Sequence, residues 1–392
     1  MEKGAEGFST RRQDFVYLLL AAVIAHRISL IVYRLYLSPL AKFPGPKIAA
    51  ATSWYEGFWD LWNAQFPEVV KDMHEKYGPI VRINPRELVI QDADFYSQLY
   101  VPGGKRRTHT IMGMRAGLGM SDAIATTSQH ELHHMRRKAV EGFFSKQSVT
   151  RMESRIHHEA RRLDEKLRQL SGTEQVIHLD HAFSCVTGDL AAQFACGESP
   201  ELIDEFEFNP EWHNSLMGIL TMVPYVRNFP WINNVMRLVP VWVLKALNPE
   251  LAGFRIFHLF SEGRIETIKR EMNDQSKDDE NTKSSIFHHI LRSDLPEAEK
   301  ATDRLNREAF ALLAAGTITT AGTMTLITYF VLENPNIEKR LRQDLHQVTA
   351  CYPETVPRWA DLEKVTFLTA CIKEGLRYVC NSPDEFDESE AE

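Results

Sequence analysis

The segment His130-Glu131-Leu132-His133-His134 sets histidines at i and i+4 with a glutamate between them. On a helix that spacing aims two imidazoles at one ion and leaves the carboxylate as a base, the arrangement of a zinc hydrolase, with Glu153 or Glu159 as possible third ligands. Arg136, Arg137 and Lys138 follow at once and raise the cost of a dication there. The same stretch reads as an anion grip, because His133 and Arg137 lie one turn apart and could hold a carboxylate through charge-assisted bonds. It also reads as a solvated basic face. A second group, Gly316, Thr319, Thr320 and Thr323, recurs at i, i+3, i+4 and i+7. Those residues make one small, hydroxylated helix face. Glycine lets a flat ligand approach the backbone, and a threonine hydroxyl bonded to the i−4 carbonyl leaves a wettable notch where oxygen chemistry beside a cofactor could proceed. Further on, Glu374 and Arg377 are spaced to pair on one face, a combination that is common on protein surfaces.

The elements that must position these residues are mostly helical. Asp303 to Asn334 is periodic, opens on charges and stops at Pro335, which predicts one helix of about 32 residues, roughly 48 Å long. Ala309 to Leu332 carries no charge and is also long enough to span a bilayer, although six threonines weaken that reading. Phe15 to Leu40 is apolar but interrupted by His26, Arg27 and Arg34. It lacks a small-residue cleavage site and reads as a signal anchor, with Arg34 and Lys42 placed to snorkel, or alternatively as an interfacial amphipathic helix. Pro44-Gly45-Pro46 is a stiff linker. Ile80–Ile83 and Glu87–Ile90 alternate around a turn and predict a small hairpin. The glycine-rich stretch 101–128 reads as a long loop that could border a pocket. Helices are expected over 151–170 and 180–196, and short proline-punctuated ones over 212–254 above a greasy cavity or membrane surface. A polar loop follows over 274–285. Ile337, Leu341 and Leu345 mark an amphipathic helix, and the helix carrying Glu374 comes after it. The class is therefore mainly α with a small β-sheet.

Composition narrows the function. The chain has 392 residues, 44% hydrophobic, with a net charge of −8. Six acids fall in the last twelve residues, so the remainder is close to neutral and nothing points to nucleic acid. Five scattered cysteines show no C-x-x-C spacing, which argues against a disulfide framework or a zinc cluster, and no metal-ligating set is assigned. The soluble part is expected to face a reducing compartment.

Taken together and in order, the anchor, FPGP, HEKYGPIVRINP, HELHHMRRKAVEGFFS, AAGTITTA and KEGLR resemble the cytochrome P450 family, and in particular its fungal membrane-bound members of secondary metabolism. The resemblance covers about residues 15 to 380. It implies a haem-dependent monooxygenase that hydroxylates or epoxidises a lipophilic substrate such as a terpenoid, fed by an NADPH-cytochrome reductase. It further implies a single-pass protein of the endoplasmic reticulum membrane with its globular part in the cytosol. The resemblance makes His133 and Arg137 the pair on a haem propionate, Gly316 a residue at the haem face, Thr319 the proton-delivering threonine, and Glu374 and Arg377 the structural glutamate-x-x-arginine pair. The 101–128 loop and the 212–254 segment match substrate-cavity regions.

Two departures qualify it. Ile318 stands where most members carry an acid, so proton delivery would need water or another group. The family's Phe-x-x-Gly-x-Arg-x-Cys-x-Gly loop, whose cysteine thiolate ligates the iron, has no counterpart in this sequence. The expectation is an incomplete domain: anchor 1–40, haem-monooxygenase part 41–380 and a non-family acidic tail 381–392, inactive as it stands. The alternative is an inert anchored fragment or binding protein, and a zinc hydrolase through His130, Glu131 and His134 is a third choice.

Overall fold

The computed structural model describes residues 2–63, 65–100, 109, 120, 122–273 and 285–381. It divides into two compact units, Met1–Arg107 and Thr108–Glu392. In the first, α1 (Glu2–Val32) begins well before the apolar run and continues into a π turn at Tyr33–Leu37. Phe15–Leu37 is long and apolar enough to cross a membrane, and its side chains stay exposed. Arg34 does not reach away from the protein; it donates to the Ala51 carbonyl at 2.8 Å. Short helices α2 (Lys47–Ala51), α3 (Trp54–Asn63) and α4 (Phe66–Tyr77) lead to β1 (Ile80–Arg82) and β2 (Leu88–Ile90). The strands pair antiparallel as expected, with Val81 opposite Val89. Phe66, Met73, Val81 and Ile83 form the local core, and α5 (Tyr96–Leu99) follows.

The second unit is helical. Its elements are α6 (His130–Val140), α7 (Lys146–Arg151), α8 (Glu153–Leu170), α9 (Leu179–Cys196), α10 (Pro210–Asn228), α11 (Trp231–Leu238), α12 (Val241–Leu247), α13 (Pro249–Asn273) and α14 (Ile286–Arg292). The last four are α15 (Thr302–Glu333), α16 (Pro335–Thr349), α17 (Trp359–Leu362) and α18 (Thr366–Asn381). α15 has the predicted 32 residues. It is a core helix, since Leu305, Ala309 and Leu313 are fully buried and its N-terminal half packs on α9 and α13. Phe257, Phe310 and Leu216 meet in one cluster, and Ile265, Ile268 and Phe287 in another. Burial of the apolar stripe, worth about 25 cal/mol per Å², outweighs the modest propensity of the threonines and glycine in this helix.

One expectation needs adjusting. Pro224 does not break a helix but lies inside α10. The carbonyl of Leu220 loses its helical donor, and Leu220 is exposed, so water can take that bond. The 101–128 loop, the 274–285 loop and the 381–392 tail fall mainly outside the described residues; what is described of the first ends in a 3-10 turn at Ile124–Thr126.

Candidate functional site

The hydroxylated face of α15 opens midway along the helix, just after its buried N-terminal half. Ala315, Gly316, Thr319 and Thr320 are exposed, while Ala314, Thr317 and Ala321 between and beside them are buried. Thr319 donates its hydroxyl to the Ala315 carbonyl at 2.8 Å, and Thr323 donates to the Thr319 carbonyl at 2.8 Å. These i−4 bonds are the ones the spacing predicts, yet the backbone remains α-helical throughout. Gly316 also has a packing reason: a Cβ there would stand 3.1 Å from that of Ala191 on α9. Its small size thus lets two helices cross closely, a role that spacing alone does not reveal.

His133 and Arg137 share the predicted face of α6. His133 is half-buried, and burial, helped by the Arg137 charge, holds its pKa below the ordinary histidine value. The ring is therefore neutral at pH 7 beside an exposed guanidinium. Among the described residues neither side chain makes a hydrogen bond or ion pair, which leaves both donors available to an anion. Among the described residues His130 and His134 gather no third ligand. Glu153 accepts from the Trp359 amide at 2.5 Å and Glu159 pairs with Arg162 at 2.8 Å. Among the described residues the one group of three candidate metal ligands is elsewhere, at His178, Asp180 and His181.

What fixes α6 was missed at the sequence level. Arg136, read as part of a basic run, is only 3% exposed. It donates to Glu299 at 2.6 and 3.0 Å, to the Asp122 backbone and side chain at 2.9 and 3.1 Å, and to Thr127 at 2.7 Å. Glu299 in turn faces Arg304 of α15 at 3.3 Å, and Arg304 reaches Glu308 at 2.9 Å. Glu308 accepts the Ile124 amide at 2.9 Å, and its carboxyl is pushed up by burial against the pull of Arg304. The chain of charges ties α6 to the first turns of α15. Thr319 lies about 15 residues beyond Arg304, roughly 22 Å along the axis. Among the described residues no hydrogen bond joins it to His133 or Arg137.

Glu374 and Arg377 pair in a bidentate fork at 2.9 and 2.5 Å. Both are more than half exposed, and among the described residues they bond only each other. Their attraction lowers the Glu374 pKa and raises that of Arg377. They border an apolar hollow of about 670 Å³ between α15, α16 and α18, walled by Phe330, Ile337, Phe367 and Tyr378. The regions expected to border a substrate cavity, 101–128 and 212–254, do not line this hollow, and most of the first lies outside the described residues.

The sequence pattern of the family described as Cytochrome P450 matches residues 52–384. The chain belongs to the cytochrome P450 family. It is 40% identical over 378 residues to cytochrome P450 monooxygenase sdnH of Sordaria araneosa, covering 92% of this chain and 69% of that protein. Stellatic acid synthase of Emericella variicolor is 41% identical over 363 residues, 92% of this chain and 64% of its own length. Fusicoccadiene C-8 hydroxylase of Phomopsis amygdali is 40% identical over 354 residues, 88% of this chain and 67% of its own length. The protein groups with fungal P450s of secondary metabolism.

Family membership implies haem, a small-molecule substrate and a reductase. The described residues fit part of that group. The open α15 face suits the plane of a macrocycle, and the unpaired His133 and Arg137 suit its carboxylates. They do not fit its iron. A P450 thiolate must be ionised to push electron density onto bound oxygen. Cys185 and Cys196 are buried in apolar surroundings that push their thiols up to about 12. Cys371 is also raised by burial and lies on α18 against the hollow. Cys351 is exposed.

Proposed function

We propose that residues 1–392 carry the anchor and much of the substrate- and oxygen-facing scaffold of a fungal P450 monooxygenase acting on a lipophilic secondary metabolite of the terpenoid class. The observation that carries this reading is the open threonine face midway along α15, just after its buried N-terminal half, in a chain matching the family from 52 to 384. The names of the relatives, one a C-8 hydroxylase of fusicoccadiene, support hydroxylation of a hydrocarbon-like substrate. Haem, when bound to a family member, supplies oxygen activation. Here Thr319 would hold a proton at Oγ1, now directed to the Ala315 carbonyl, and the neutral Ile318 offers it no acid neighbour. Arg137 and the neutral His133 would hold a propionate by charge and hydrogen bonding. The apolar run Phe15–Leu37 would fix the protein in the endoplasmic reticulum membrane by a single pass, with the remainder in the cytosol facing an NADPH-cytochrome reductase.

Because none of the described cysteines stands in the family's Phe-x-x-Gly-x-Arg-x-Cys-x-Gly context, we propose that this polypeptide by itself does not activate oxygen. The test is the reduced carbonyl spectrum of the full chain, purified in detergent and supplied with haemin. No thiolate-type absorption band is expected, and its appearance overturns the claim of inactivity. The membrane reading has a separate test. Deleting residues 1–40 should release the protein from carbonate-washed membranes, and retention on them would refute the anchor.

A further inference from the structure

The first turns of α9 and α10 bring together a group of side chains that the P450 scaffold does not use. His178 caps α9, Asp180 lies in its first turn and His181 follows. One ligand atom from each lies within 4.8 Å of the others. The His178 and His181 rings stack at 4.9 Å between centroids. From α10, His213 brings Nε2 to 3.3 Å from Asp180 Oδ2, with its ring 4.9 Å from that of His181. His213 Nδ1 is 2.8 Å from Ser184 Oγ. A hollow of about 230 Å³ lined by His178, His181, Glu207 and Phe208 opens beside the group.

Three imidazoles gathered around one carboxylate are a poor core and a poor charge cluster. His181 Nδ1 is buried with no hydrogen-bond partner, a cost of about 1–3 kcal/mol for a neutral group. Three nitrogens and one carboxylate oxygen are the donor set that a borderline divalent ion prefers. Bonds of about 2.0–2.1 Å on a tetrahedron place neighbouring ligand atoms roughly 3.3–3.4 Å apart, which is the His213 to Asp180 separation.

We propose that His178, Asp180, His181 and His213 form a structural zinc-class site that clamps the start of α9 to the start of α10. His178 is exposed and has room to close the wider separations by rotating. Ser184 holds the far nitrogen of His213, the outer contact that commonly orients a ligating imidazole. With four protein donors the site is closed and has no vacant position for substrate.

The experiment uses the full chain in detergent, stripped with a chelator and titrated with zinc sulfate against a chromogenic zinc indicator. One zinc per chain is expected. Removing the exposed ligand in His178→Ala, or the carboxylate donor in Asp180→Asn, should weaken binding at least about tenfold, and Ser184→Ala by about 10–100-fold through the outer contact. His130→Ala/His134→Ala should leave binding unchanged. Zinc should also raise the thermal midpoint of the parent chain and not that of His178→Ala, which reports the clamp separately from affinity. Absence of stoichiometric zinc in the parent chain overturns the proposal, as does binding that survives His178→Ala/Asp180→Asn or is lost in His130→Ala/His134→Ala.

Discussion

Replacing Arg136 by alanine isolates the contact that orients α6. The guanidinium is 3% exposed and makes five hydrogen bonds, two of them to Glu299. Removing one partner of a buried ion pair costs about 3–5 kcal/mol, because the other charge is left in a poor solvent. Glu299 would keep Arg304 at 3.3 Å, and the Asp122 side chain is 43% exposed and can rehydrate. The loss therefore belongs at the lower end, about 3 kcal/mol. Arg137→Ala, one residue along but solvent-facing, should cost within about 0.5 kcal/mol. Urea unfolding of the full chain in detergent, followed by tryptophan fluorescence, measures both. A double-mutant cycle with Glu299→Gln should return a coupling of at least about 1 kcal/mol. Equal losses for Arg136→Ala and Arg137→Ala would refute the idea that a buried charge chain, rather than the apolar contacts of α6, sets where His133 and Arg137 point.

Other outcomes can be stated more briefly. His258 is 3% exposed, faces the Asn306 amide at 3.3 Å and is lowered by burial from 6.5 to about 4, with Arg237, Arg255 and Arg307 adding to the effect against Asp303. The fold favours the neutral ring, so its contribution is complete above pH 6.5 and is lost as pH falls toward 4, by about 3 kcal/mol in all; the stability difference between parent and His258→Gln should change by that amount over the window, and a flat difference would exclude it. Gly375→Ala puts a Cβ well inside van der Waals contact with Ile327, at 2.2 Å from Cγ1, and should cost about 1–3 kcal/mol in urea unfolding. Adding Ile327→Ala should recover part of that loss, and no recovery would point to a different cause. Glu374→Gln breaks only an exposed fork, so its urea midpoint should match the parent; a large shift would mean that the pair has further partners.

The periodic elements were legible in the sequence because their signals are local. The apolar stripe and Pro335 stop of α15 gave its 32-residue span, alternation gave the β1–β2 hairpin, and the N-terminal helix showed as an apolar run broken only by His26, Arg27 and Arg34. The family was legible from motif order alone, and the threonine back-bonds follow from i−4 spacing. Tertiary contacts decided the rest. Arg136 and Arg137 are neighbours of one residue type in a single basic run, yet one is buried in a charge chain and the other faces water. No local pattern separates them, because the partners Glu299 and Asp122 arrive from 163 and 14 residues away. His213 meets Asp180 for the same reason, across the loop between two helices. Helix periodicity is written in neighbouring residues, whereas the burial of a charge depends on what the rest of the chain places against it.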